Sequence, residues 1–314
     1  TWQRFNGPDD RYIYPVRSEL RYNPDKNLDA YVLSNNSEGW GAIANITATA
    51  APLQNLDLMA SYTFTESKEI TGMPGSNASS AYGGLITVNG PHLPALQRSQ
   101  YVIPHRVIGS LTYRVPWTNS KVLSNTTFNL FYTGYTFSGY SYTSTTDMNG
   151  DGWGSTDLIY IPENRGDIRF ETTEDENAFF AFMDQDKYLK ANKGGYAGAN
   201  AVLAPWLHRF DFRIAREYNI KVGNSNNSLE LRLAIMNVGN LLNSKWGVMK
   251  NMASANNGGI LRYERTDNDG YPVFSMPKIK NSEGEDVYPT ETFATVYSPN
   301  QTWSMQVGIR YKFN

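Results

Sequence analysis

Residues 303–313 alternate without a break: Trp303, Met305, Val307, Ile309, Tyr311 and Phe313 fall on one face, and Ser304, Gln306, Gly308, Arg310 and Lys312 on the other. A period of two over about ten residues is the pattern of a strand whose two faces meet different surroundings, and it is long enough to cross a bilayer as a tilted strand. The pattern recurs upstream. Phe210, Phe212, Ile214, Tyr218 and Ile220 share a face, broken by Arg216, and Leu229, Leu231, Leu233 and Ile235 share another. Alternation also marks 42–50, 56–65 and 107–115, and 126–135 is aromatic and β-prone. These segments predict about seven spanning strands.

The connections separate a membrane barrel from a soluble sandwich. Short links at 52–55, 116–124 and 222–228 alternate strictly with long ones at 70–103, 139–205 and 241–301. Up-and-down bacterial barrels have short periplasmic turns and long extracellular loops, whereas a sandwich has turn signals at closer, more even spacing. The expected fold is all-β: an antiparallel up-and-down transmembrane barrel occupying 40–314, with 1–39 an extracellular loop segment. An odd strand count cannot close such a barrel, and open edges in lipid leave backbone groups unsatisfied. The chain is therefore expected to depend on missing N-terminal strands and on outer-membrane lipid.

Composition narrows the partners. Tyr is abundant, 21 against 14 Phe and 7 Trp, and its amphipathic ring suits a membrane–water interface. Cysteine is absent, which excludes disulfides and thiolate sites. Net charge is −2 with no basic stripe, so no nucleic-acid partner is expected. No run of about 18 apolar residues predicts a spanning helix, and the N-terminus carries no signal-peptide pattern, consistent with a mature internal fragment.

Few residues carry a chemical signature. Asp147, Asn149 and Asp151 followed by Gly152 have the spacing of a calcium loop, with the Trp153 carbonyl as the next oxygen. The twelfth position is Leu158, so Asp157 would have to supply the missing carboxylate; the alternative is an Asp/Gly-rich turn. Calcium would order a 139–205 loop expected to have little core of its own. Residues 176–193, with Phe179, Phe180, Met183, Tyr188 and Leu189, predict a short helix packed over the barrel mouth, and 267–270 predicts a hairpin turn. The histidines (His92, His105, His208) form no metal motif and no nucleophile elbow occurs, so an enzyme is not expected. In the tail, Trp303, Ile309, Tyr311 and the penultimate Phe313 resemble the signal read by the barrel-assembly machinery.

Several segments together resemble one family. Asp157-Leu158-Ile159-Tyr160-Ile161-Pro162, Asp186-Lys187-Tyr188-Leu189 and His208-Arg209-Phe210-Asp211-Phe212-Arg213-Ile214 look like the late part of Bacteroidetes TonB-dependent outer-membrane receptors of the Oar-like and SusC-like branches. Asn237-Val238-Gly239-Asn240-Leu241-Leu242-Asn243-Ser244-Lys245-Trp246-Gly247 and the closing Gln306-Val307-Gly308-Ile309-Arg310-Tyr311-Lys312-Phe313-Asn314 continue the match. The resemblance implies the C-terminal strands of a plugged, roughly 22-stranded barrel. It also implies nutrient uptake, of peptide or glycan for example, driven by the TonB complex through the missing plug, with a surface lipoprotein lid as a further partner. On this reading Phe210, Phe212, Ile214, Leu229, Leu231, Leu233 and Ile309 face lipid, while Arg209, Asp211, Arg213, Glu217, Glu230, Arg232 and Arg310 face the lumen. A structural or accessory barrel of a secretion or assembly complex is the alternative, and a passive porin a third.

Overall fold

Segments with a polar and an apolar face need a partner along each edge before they need a layer above them. In the computed structural model they find it in one antiparallel meander. The structure describes residues 3–15, 30–32, 34–116, 123–137 and 139–313. Parts of the expected 1–39 segment, the middle of the 116–124 link and Asn314 lie outside the described residues.

The long strands are β1 (Trp40–Leu53), β2 (Leu56–Glu69), β3 (His105–Val115), β4 (Thr126–Thr136), β5 (Trp206–Val222), β6 (Ser225–Met236) and β7 (Ser304–Lys312). Each pairs with its neighbour in chain order, and Gln97–Arg98 adds a short partner at the far end of β2. The alternation places these strands correctly and underestimates the length of all but β7, which is Ser304–Lys312 rather than 303–313. β6 begins at Ser225 rather than Leu229 because the ladder runs through Asn226, Asn227 and Ser228 to the turn. Ladder hydrogen bonds are backbone bonds and ignore the polarity of those side chains. Val222 pairs with Ser225 across Gly223, whose φ of +60° is the left-handed conformation a two-residue hairpin requires.

Register sorts the side chains. Phe212, Ile235 and Met305 stand in one row across β5, β6 and β7, and the next two rows are Ile214–Leu233–Val307 and Arg216–Leu231–Ile309. The opposite face carries the row Glu217–Glu230–Arg310. Arg216 is the exception on the apolar face. It sits opposite Thr126, the first residue of β4 at the short-turn end, with its guanidinium 4.6 Å from the Tyr218 ring centroid. A long basic side chain can reach the interface from such a position. Among the described residues the outer edges of β1 and β7 have no strand partner, and the sheet does not close.

The hydrophobic core lies in the long connections. Phe5, Tyr142, Ile159, Ile161, Phe179, Phe182, Met183, Leu189, Ile260, Leu261 and Phe274 are buried together. The expectation of a loop with little core is thus corrected: 139–205 supplies most of the buried core residues, and 241–301 and Phe5 complete the cluster. Among the described residues, four α-helices punctuate this cap. They are α1 (Ala78–Gly83), α2 (Thr173–Gln185), α3 (Lys187–Ala191) and α4 (Val238–Leu242). Thr172 caps α2 by accepting from the Asp175 N–H at 3.1 Å, and Glu174, Asp175 and Glu176 complement its first-turn dipole. Asp186 caps α3 through the Leu189 N–H at 2.7 Å. The expected helix in 176–193 is present as α2 and α3. The turn at 267–270 is also present, with the Gly270 N–H donating to the Asp267 carbonyl at 3.1 Å.

Candidate functional site: the polar face and the cap above it

All seven residues assigned to one face by alternation share it in the register. Arg209 pairs with Thr133, Asp211 with Phe131 and Arg213 with Asn129 on β4, while Glu217, Glu230, Arg232 and Arg310 belong to the same face of β5, β6 and β7. Glu230 lies 3.6 Å from Arg213 and 3.8 Å from Arg232, and Glu217 lies 3.5 Å from Lys312. Gly308 makes room for Arg232, since a Cβ there would meet its Nε at 2.8 Å. Asp211 is engaged structurally. Its Oδ1 accepts from the Asn237 N–H at 2.7 Å and fixes the chain leaving β6.

That exit is the Asn237–Gly247 motif, and its asparagines are its hinges. Asn237, fully buried at φ +51°, donates from Nδ2 to the carbonyls of Gly247 at 2.9 Å and Gln301 at 2.8 Å. Gly247 is at φ +64°, and a Cβ on it would lie 2.0 Å from Asn237 Oδ1. Asn240 Nδ2 donates to the carbonyls of Ser244 and Trp246, each at 2.9 Å, and its Oδ1 accepts from the Trp303 N–H at 3.2 Å. The motif therefore folds a turn on itself and aims the chain into β7. Within β7, Ile309 pairs with Leu231 and Tyr311 with Leu229. Trp303 precedes the strand, and Phe313 follows it, 83% exposed.

Histidine and tyrosine band the apolar face at the long-loop end. Tyr62 and His105 share a 2.8 Å Oη–Nδ1 hydrogen bond, and Tyr132 and His208 one of 2.7 Å. Trp206 stacks between the two imidazoles, its ring centroid 6.1 Å from His105 and 5.9 Å from His208. Aromatic rings with a polar tip suit the height where hydrocarbon gives way to headgroups. Sequence reading lists these histidines without a role, because the band exists only once the strands are in register.

The 147–158 loop is held from several sides. Asp147 accepts from the N–H groups of Gly150 at 2.8 Å and Gly152 at 2.7 Å, Asn149 from Asp151 at 2.9 Å, and Asp151 from Trp153 at 2.8 Å. The Trp153 carbonyl accepts from the Thr156 hydroxyl at 3.0 Å. Asp157 accepts from the Met148 N–H at 2.8 Å, and burial pushes its carboxyl up to about 8, against the opposing influence of Arg11 and of that N–H. Among the described residues no group of three or more His, Asp or Glu side chains is drawn together as a ready-made metal site. Leu158, at the twelfth position, is buried, and its carbonyl accepts from Arg11 Nη2 at 2.8 Å.

Arg11 is the anchor that sequence reading missed. It is buried with Asp9, its Nε 2.9 Å from Asp9 Oδ1, and it ties the N-terminal segment to the 147–158 loop. In the sequence, Asp9-Asp10-Arg11 is indistinguishable from a solvated charge run. Asp186 makes a similar knot. It accepts from Tyr142 Oη at 2.7 Å and Thr292 Oγ1 at 2.5 Å, while burial and the adjacent carboxylate push the Tyr142 phenol upward.

A meander with one apolar and one polar face, short turns at one end, an aromatic band at the other and a folded cap beyond it is the arrangement of a bacterial outer-membrane strand sheet. No curated protein and no solved structure matches the chain. The family described as outer membrane beta barrel domain matches residues 44–269, more than half of the sequence and all of β2 to β6. An outer membrane location follows from that match together with the two-faced sheet. The chain belongs to the outer membrane beta barrel domain family.

Proposed function

We propose that this chain supplies late strands and the extracellular cap of a TonB-dependent transporter that takes up a nutrient such as a peptide or a glycan. The observation that carries the reading is the cap. A porin-like channel has no evident need for a tightly cored superstructure, whereas an uptake receptor must present a shaped surface to an incoming solute. The resemblance in 157–162, 186–189 and 237–247 supports the same reading, since 157–162 and 186–189 build the cap core and 237–247 builds the turn beneath it. On this proposal the polar face with Arg209, Arg213, Glu217, Glu230, Arg232 and Arg310 lines the lumen. Further strands pair with the free edges of β1 and β7, a plug fills the lumen, and a surface lipoprotein covers the cap. The protein then carries solute rather than transforming it.

The test is uptake of labelled oligopeptides and oligosaccharides by cells with and without the full-length gene. Uptake that depends on the gene and is abolished by a protonophore supports the proposal. Uptake indifferent to the protonophore indicates a passive channel, and no gene-dependent uptake with a secretion or assembly defect indicates an accessory barrel.

We also propose that the 147–152 loop takes calcium. Asp147, Asn149 and Asp151 place side-chain oxygens at alternate positions, which is the calcium-loop arrangement. Protease resistance of the 139–205 segment is expected to rise between EGTA and millimolar calcium. Equal resistance in both would reject the ion and leave the hydrogen-bonded turns as the whole account.

A further inference from the structure

At the long-loop end of the apolar face, a cavity of about 440 Å³ opens between the start of β5 and residues 245–250. We propose that it binds an anionic, phosphate-bearing lipid of the outer leaflet, with an acyl segment in the apolar cavity and the phosphate on Lys245 and Lys250.

Three observations converge on a lipid. The first is position. Trp206, His208 and Phe210 line the cavity, and the register puts them opposite Thr136, Gly134 and Tyr132 on the face that carries Ile214, Leu231 and Ile309. That face meets hydrocarbon in an outer-membrane barrel. The cavity therefore opens toward lipid, at the height of the Tyr–His–Trp band, where headgroups begin. The second is charge. Lys245 and Lys250 are the charged side chains of the lining, both exposed, and no Asp or Glu lines the cavity. Among the described residues neither lysine forms an ion pair, whereas Arg213, Arg232 and Lys312 on the sheet all do. Basic side chains at this height attract anionic headgroups. The third is construction. The wall is tied down on both sides of the cavity, Trp246 and Gly247 by Asn240 and Asn237 and Lys250 by its pairing with Thr295, so the cavity is already formed in the structure. Its volume is in the range of small-ligand pockets, about 300–1,000 Å³. Exposed Trp246 on the wall faces the same medium as Trp206 on the strand.

The experiment uses the full-length protein in detergent micelles, with lipid retention read by native mass spectrometry. Three probes separate the sources of affinity: dioleoyl phosphatidic acid carries phosphate and chains, dioleoylglycerol chains alone, and inorganic phosphate the anion alone. Phosphatidic acid should be retained at least tenfold better than either of the others. The double variant Lys245→Gln/Lys250→Gln should lose that advantage, and Lys221→Gln at the short-turn end should keep it. In the unmodified protein, phosphatidic acid brominated on its chains should quench Trp emission, and Trp206→Phe/Trp246→Phe should remove the quenching. Equal retention of phosphatidic acid by the parent and the double lysine variant overturns the proposal. So does lysine-dependent binding of inorganic phosphate that the chains do not improve, or brominated chains that bind without quenching.

Discussion

Glu217 and Glu230 face each other in register across β5 and β6, two carboxylates on one face, with Arg310 completing the row. Like charges directly opposite are destabilising unless neutralised. Here Arg213, Arg232 and Lys312 do so at 3.5–3.8 Å, long and partly exposed contacts. Glu230→Gln should therefore cost less than about 1 kcal/mol. Leu231→Arg, one residue away on the opposite face, should cost about 2–4 kcal/mol, as a charge exposed to the hydrocarbon does. Reversible unfolding of the barrel in phospholipid vesicles measures both, and equal costs would show that the two faces are not chemically distinct.

The cap should fail separately from the sheet. Phe179 is fully buried against Phe170 and Phe180 in the loop core. Phe179→Ala should remove about 3–5 kcal/mol of packing from that core. Limited proteolysis should then cut within 139–205 while the strands stay protected and the barrel keeps its shifted mobility in unheated gels. Loss of that mobility shift would mean that sheet and cap fold as one unit.

Tyr311 pairs with Leu229 near the end of β7, and Phe313 extends past the strand with most of its surface free. On the proposal that the assembly machinery reads this aromatic strand, we expect Tyr311→Ala/Phe313→Ala to lower the amount of folded protein in the outer membrane several-fold with synthesis unchanged. Unchanged folded levels would assign these side chains to packing alone.

His92 sits between two phenol rings, 5.5 Å from Tyr14 and 5.3 Å from Tyr82 by centroid, and desolvation holds its pKa below the ordinary 6.5. A lowered value means that the folded cap prefers the neutral imidazole. Its contribution is complete above pH 6.5 and declines as the pH falls through and below that value. Proteolytic protection of residues 3–15 should therefore fall in the parent relative to His92→Phe between pH 7.5 and 5.5, a comparison that cancels the opposite influence of the buried Asp157 carboxyl. Parallel profiles in the two proteins would remove His92 from the contact.

The sequence by itself determined the sheet. A barrel strand carries its environment in its own alternation, so Ile309, Leu231 and Ile214 declare a common face before any pairing is known, and loop length alone tells one end of the meander from the other. Even the seven polar-face residues were legible, because period two is local. What only the tertiary structure decided is everything built from distant pieces. The cap core joins Phe5, Ile159, Phe179 and Phe274 from segments far apart in the chain, and their burial together is a property of the assembly. Arg11 becomes an anchor only when Asp9 and the Leu158 carbonyl close around it. His105 and His208 become a band only when Trp206 falls between them. Alternation records which medium a residue meets, while loop–loop packing depends on which residues meet each other, and that information is not stored at any one position along the chain.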